Sequence, residues 1–191
     1  MTEDQKSQVP DSPPHGRRAG RGVSLFWMRD LMLSLIIAAV VILFLYQPVK
    51  VEGTSMMPSL VDQERIFINK FIYRFGIGEI ERGDLVIFRF PGDVSKSYIK
   101  RVVALPGDQV EIVNGAVILN GRRIEEKFVP QEYRDQQSMR PMVVERQHYF
   151  VLGDHRSSSN DSRAWGPVQR DYIYGKAVFV YWPLEKMGPL N

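Results

Sequence analysis

From Leu31 to Tyr46 the chain reads LMLSLIIAAVVILFLY, sixteen residues with no charge and no helix breaker. No other feature restricts the fold as much, because a run of this kind must leave water. As a helix it spans about 24 Å at roughly 1.5 Å per residue. That is short of the ~30 Å hydrocarbon core of a bilayer. Leu25, Phe26, Trp27 and Met28 extend it on the N-terminal side. Arg29 then lies near the interface, where its stem can snorkel, and Trp27 suits an aromatic belt.

Three readings compete for the run. A buried core helix carries its apolar residues on one stripe, whereas this segment is apolar all round. A cleavable leader needs small residues at −3 and −1 just beyond the run, and Leu45-Tyr46-Gln47-Pro48 is bulky. An uncleaved signal anchor over residues 25–47 fits best. Arg17, Arg18 and Arg21 precede it and predict an N-terminus on the inside. Residues 1–24 hold Pro10, Pro13 and Pro14 and no apolar run, and read as a disordered cytoplasmic tail. Residues 48–191 then lie on the outer face as one domain, long enough for a core of its own.

That domain reads as mostly β. Arg65–Tyr73, Leu85–Phe90, Tyr98–Leu105, Val110–Val113 and Tyr149–Leu152 are short β-branched or aromatic runs. Tyr172–Trp182 contains one more. Asn114-Gly115 between EIV and AVIL is a two-residue hairpin signal, and Asn120-Gly121 marks a second turn. There is no long amphipathic helix.

Composition removes several chemistries. The chain has no cysteine, which excludes thiol proteases, disulfide frameworks and Cys-ligated metal sites. Of three histidines, His15 falls in the tail, so a three-histidine metal site is excluded and only His148 and His155 remain. A net charge of +3 is too small to imply a nucleic-acid partner. Catalysis must rest on Ser, Thr, Lys, Asp, Glu or Tyr, or on a cofactor.

Three stretches could carry it. Gly53-Thr54-Ser55-Met56-Met57-Pro58 starts seven residues after the apolar run ends. It is either an exposed serine with free backbone N–H groups nearby or a plain turn into the first strand. In Tyr98-Ile99-Lys100-Arg101-Val102-Val103-Ala104-Leu105, a period of two groups Lys100 with Tyr98, Val102 and Ala104. Burial on that face disfavours the ammonium. A lysine that serves as a base near neutrality must fall from about 10.4 to around 7–8. The alternative is an edge-strand lysine in water, and one of the Lys100–Arg101 pair is expected at the surface. The third stretch, Gly153 to Arg163, alternates acids, arginines and hydroxyls in a polar loop. It can orient a catalytic group or merely stiffen the loop. Nothing in the sequence places His155 near Ser55 for a Ser–His–Asp arrangement.

Together and in this order the three stretches resemble bacterial type I signal peptidases, membrane-anchored serine proteases. Ser55-Met56-x-Pro58 resembles the nucleophile motif. Lys100-Arg101-Val102-Val103 with Pro106-Gly107-Asp108 resembles the general-base motif, and Gly153-Asp154-His155 through Ser159, Asp161, Ser162 and Arg163 the third signature. Arg82-Gly83-Asp84-Leu85-Val86 is similar to the strand between the first two. The resemblance implies a coiled, mostly antiparallel β catalytic domain behind one N-terminal transmembrane helix. The short Gly107–Tyr149 span implies the compact, single-anchor branch.

By that resemblance Ser55 is the nucleophile and Lys100 a neutral general base, with no cofactor or metal. Ser159 hydrogen-bonds and orients the lysine amine. Asp161 and Arg163 form a supporting salt bridge, with Asp154 in the same network. The Ser55 N–H donates to the oxyanion. Gly53 stands where some members place a serine hydroxyl as a second donor, and losing one donor costs on the order of 10²–10³ in rate. Ala104 replaces a usual glycine and Ser158 a common asparagine. Met56, Leu60, Tyr98 and Ile99 line shallow apolar pockets for small residues at −1 and −3 of a preprotein. The partners implied are signal-peptide-bearing preproteins and the lipid bilayer, with a monomeric enzyme on the outer face of the cell membrane. Two rivals are a specialised protease for one pilin-like or conjugation substrate and a silent, membrane-tethered peptide-binding β module.

Overall fold

The computed structural model describes residues 21–71 and 78–190, and within the helix 21–45 it leaves aside the side chains of 21–25 and 41–44. Most of the expected tail and the end of the expected Arg65–Tyr73 strand lie outside the described residues. The chain divides into two units at Val41/Ile42.

Helix α1 (Arg21–Leu45) has 25 residues, so it starts inside the expected tail and stops short of Gln47. Its side chains from 26 to 40 are all exposed, Trp27 by 75%. Among the described residues no helix is long and apolar enough to cross a membrane. The helix ends at Leu45 because Pro48 lacks an N–H and pushes Gln47 out of the helical region. Tyr46 opens strand β1 (Tyr46–Lys50) directly, with no linker.

The remaining strands are β2 (Arg65–Asn69), β3 (Leu85–Phe90), β4 (Asp93–Ala104), β5 (Gln109–Val113), β6 (Ala116–Leu119), β7 (Arg122–Arg123), β8 (Met139–Val143), β9 (His148–Leu152), β10 (Val168–Gln169), β11 (Ile173–Trp182) and β12 (Gly188–Pro189). They form two antiparallel sheets. The larger runs β1-β2-β11-β3-β4-β9-β10, with β12 beside β11; the smaller runs β7-β6-β5-β8. The short Gly107–Tyr149 span therefore folds into a small sheet. The Asn-Gly turn closes the β5–β6 hairpin as expected, with positive φ at both Asn114 (49°) and Gly115 (78°).

Strand β4 lies inside the larger sheet, between β3 and β9. Opposite residues of an antiparallel pair share a face. Leu85↔Arg101 and Ile87↔Ile99 therefore lie on one side, Val86↔Lys100 and Phe88↔Tyr98 on the other. The first side faces a core of Val51, Met56, Leu60, Ile66 and Ile68. The second faces Val102, Val151, Val168 and Ile173. Past Val102 the pairing with β9 shifts register. Simple alternation fails there: Val103 and Ala104 both join a third core with Val110, Ile112, Val117 and Phe150. A bulge of this kind bends its strand, and here it carries β4 from the large sheet to the packing of the small one.

Candidate active site

Ser55 sits in a tight turn after β1. Gly53 enters that turn at φ +91°, a region open to glycine, and its N–H donates to Asp62 Oδ1 at 2.8 Å. Thr54 O accepts from the Met57 N–H (3.1 Å) and Met56 O from the Leu60 N–H (2.9 Å). The Ser55 amide donates to nothing among the described residues. The Gly53 N–H is committed to Asp62, so the residue that stands where some members place a second donor shapes the turn here.

Lys100 projects from β4 with its Nζ 2.7 Å from Ser55 Oγ. The lysine is 4% exposed. Burial pulls its pKa down to about 8; the charges of Asp161 and Asp154 pull it back up, and Arg163 pushes it further down. As an ammonium Lys100 donates to Ser55; as a neutral amine it accepts the hydroxyl proton. Tyr98 lies beneath the nitrogen, with its ring centre 5.5 Å away.

Arg101 departs from expectation. One of the Lys100–Arg101 pair was to be at the surface, yet Arg101 is 3% exposed. It survives there because Asp154 meets it with both oxygens, at 2.9 and 2.8 Å, and it also donates to Gly83 O (2.8 Å) and Ser59 Oγ (3.1 Å). A buried charge requires such partners. Asp154 therefore pairs with Arg101, and touches the Lys100 site only through its field.

Asp161 and Arg163 do pair, with Nε–Oδ1 and Nη2–Oδ2 both at 2.8 Å. Asp161 also caps the helical turn Ser162–Trp165 and accepts the Gly153 N–H at 3.0 Å. Ser159 does not behave as expected. Its buried Oγ has no hydrogen-bond partner, so it does not hold the lysine amine. The hydroxyl lies over Gly153: a Cβ placed there would collide with Ser159 Oγ, with Ser159 Cβ and with the Ser55 carbonyl. Only glycine lets the two serine-bearing segments approach this closely.

His155 comes beside Ser55 after all, though not as a base. Its backbone N–H donates to Ser55 O (3.1 Å), and its ring Nδ1 is 3.2 Å from Thr54 O. A carbonyl accepts, so that nitrogen carries the proton and ties the loop to the turn.

Ser55 and Lys100 open into a cleft of ≈ 380 Å³ that Met56, Ile87, Tyr98, Ile99 and Tyr174 line on its apolar side, with Asn160 at its rim. Met56, Tyr98 and Ile99, which the resemblance assigns to substrate pockets, are among its lining residues. Leu60, assigned with them, is instead wholly buried in the core with Val51 and Ile66 and takes no part in the lining.

The family model described as signal peptidase, peptidase S26, matches residues 24–182. The chain belongs to that family. A signal peptidase I of Bacillus amyloliquefaciens is 35% identical to it, with 98% of each chain covered. One of Leptolyngbya laminosa is 30% identical over all of this chain and 98% of its own. The signal peptidase I T of Bacillus subtilis is 34% identical over 85% and 88%.

Several residues that build this signal peptidase site had no distinct sequence signal. Arg156 is buried and binds both oxygens of Glu126, thirty positions earlier, while its Nε donates to Gly153 O at 3.0 Å. Arg163 has a second carboxylate in Asp135. Arg82 grips Asp108, with Nη2–Oδ1 at 2.6 Å, which joins two motifs noted separately in the sequence. Such pairs depend on tertiary proximity, which no local pattern carries.

Proposed function

We propose that the protein is a membrane-anchored endopeptidase that removes N-terminal signal peptides from exported preproteins, with Ser55 as nucleophile and Lys100 as general base. The 2.7 Å approach of a buried Lys100 Nζ to Ser55 Oγ carries this reading. Neutral Lys100 takes the Ser55 proton as Oγ attacks the scissile carbonyl. The unengaged Ser55 N–H donates to the oxyanion that forms. Collapse expels the new amino terminus, which receives the proton from Lys100, and leaves an acyl-serine. Lys100 then deprotonates the water that attacks the ester, and returns the proton to Oγ. The logic is that of the serine triad with lysine in place of histidine.

Met56, Tyr98 and Ile99 give the cleft a shallow apolar wall, which favours small residues at −1 and −3. No described helix is long and apolar enough to cross a membrane, but the sequence carries an uncharged run from Leu31 to Tyr46 with Arg17, Arg18 and Arg21 before it. That composition supports a single-pass anchor, with the N-terminus inside and the catalytic domain outside. Substrates held in the same bilayer meet the cleft at raised effective concentration.

The test is cleavage of a signal-bearing precursor by the full chain in lipid vesicles. Ser55→Ala and Lys100→Met should each abolish it, and wild-type turnover by either variant sinks the assignment. The neutral amine is the active form, so kcat/KM should rise about tenfold per pH unit below about 8 and level above it. A rate still climbing at pH 10 rejects the buried base.

A further inference from the structure

The segment 124–137, between β7 and β8, belongs to neither sheet, yet it reaches the 153–163 loop at three places. Glu126, 3% exposed, binds the Arg156 guanidinium through both oxygens. Tyr133 meets the His155 ring edge-on, with centres 4.8 Å apart. Asp135 binds Arg163. Each loop residue so held leads on to Ser55 or to the wall behind it. His155 donates to Ser55 O; Arg156 donates to Gly153 O; Arg163 binds Asp161, which in turn accepts the Gly153 N–H. Gly153 is the residue against which the Ser55 carbonyl and Ser159 pack.

The far side of the segment is anchored as firmly. The Gly115 N–H donates to Gln137 O (2.8 Å), and Asp135 O lies so close to Gly115 that a Cβ there would strike it. The Asn114 N–H donates to Ser138 Oγ at 3.0 Å. Between those fixed points a cleft of ≈ 630 Å³ lies against the segment, lined in part by Glu126, Val129, Arg134 and Asp135. The segment is thus a strap, held at the β5–β6 hairpin and tied to the loop by two ion pairs and one ring contact.

Resting on the serine–lysine reading above, we infer that Glu126, Tyr133 and Asp135 are positioning residues: the strap sets the placement of Ser55 against Lys100 through the 153–163 loop. None of the three lines the Ser55 cleft, so removing their contacts lowers turnover and leaves substrate binding alone.

Asp135→Asn is the sharpest probe, because Arg163 keeps Asp161 and the fold keeps its buried pairs. Full-length variants in vesicles should show kcat down at least tenfold with KM within twofold, counted per folded molecule by circular dichroism. Asp135→Glu should recover most of the loss. A folded Asp135→Asn with kcat within twofold of wild type, or a change in KM alone, overturns the inference. Should Asp135→Asn fail to fold, Tyr133→Leu carries the test, with about a threefold loss in kcat expected and none overturning it. Ser55→Ala runs in parallel. Cleavage that survives Ser55→Ala defeats the serine–lysine reading itself; Ser55-dependent cleavage with a fully active Asp135→Asn defeats the strap alone.

Discussion

Lys100 and Arg101 are neighbours on β4, point to opposite faces of one sheet, and are equally buried at 4% and 3% exposure. Their surroundings differ in one respect. Arg101 has a carboxylate in direct contact with two of its three nitrogens, as well as a carbonyl and a hydroxyl. Lys100 has Ser55 Oγ, and the acids Asp161 and Asp154 act on it only at a distance. Burial with no carboxylate in contact loosens the Lys100 proton, whereas the guanidinium, which does not give up its proton, is met in place by its partners. A site that needs a permanent charge surrounds it with acceptors; a site that needs a base withholds the carboxylate.

Exchanging chemistry at Lys100 gives the largest expected effect. Lys100→Arg keeps the charge but cannot lose its proton, so precursor cleavage should fall by about 10⁴ or more, as when a member of a serine triad is lost. Appreciable turnover would mean that the base is some other group. Next in size is Asp154→Ala, which strands Arg101 in the interior. Breaking a buried pair from one side costs about 3–5 kcal/mol, readable as a lower denaturation midpoint in urea. An unchanged midpoint would show that the remaining partners of Arg101, Gly83 and Ser59 among them, suffice for it. The smallest effect is one of position on the pH axis. Asp161 stabilises the Lys100 ammonium, so Asp161→Asn should move the acid limb of kcat/KM to lower pH. A shift upward would contradict the assigned balance of charges.

The parts of the molecule visible in the sequence are those governed by local rules. β3 spans the expected Leu85–Phe90, and the Asn-Gly hairpin follows from two residues that tolerate positive φ. The expectation of Lys100 on an apolar face holds because its register partner is Val86 and its side carries Phe88 and Val102. The strands that escaped include β1 (YQPVK) and β8 (MRPMV), each with a proline inside it. Both are edge strands, the one place where a missing N–H costs no ladder bond. Proline reads as a strand breaker in sequence, and only topology shows which edge excuses it. β7, β10 and β12 are two residues each, too short for any period to register.

The site divides in the same way. Ser55, Lys100 and the Asp161–Arg163 pair lie within recognisable motifs, and the structure brings them together. Neither member of the Lys100–Arg101 pair reaches the surface, because alternation along a strand says nothing of a counter-ion waiting on the other face. Leu60 follows Ser55 by five positions, yet the turn directs it into the core. Ser159 stands at the motif position, with its hydroxyl turned onto Gly153 instead of Lys100.

The pairing of β1 with β2 has a consequence for the shape of the cleft. Val49, a wall residue of the Ser55 cleft, lies opposite Ile66 of β2, and Ile66 pairs in turn with Val180 of β11. Ile66 is wholly buried. One wall of the cleft is therefore a rung of the ladder rather than a loop, and whatever lies against it meets a surface fixed by backbone hydrogen bonds. A substitution that loosened this ladder would blur the cleft from a distance and leave Ser55 and Lys100 untouched.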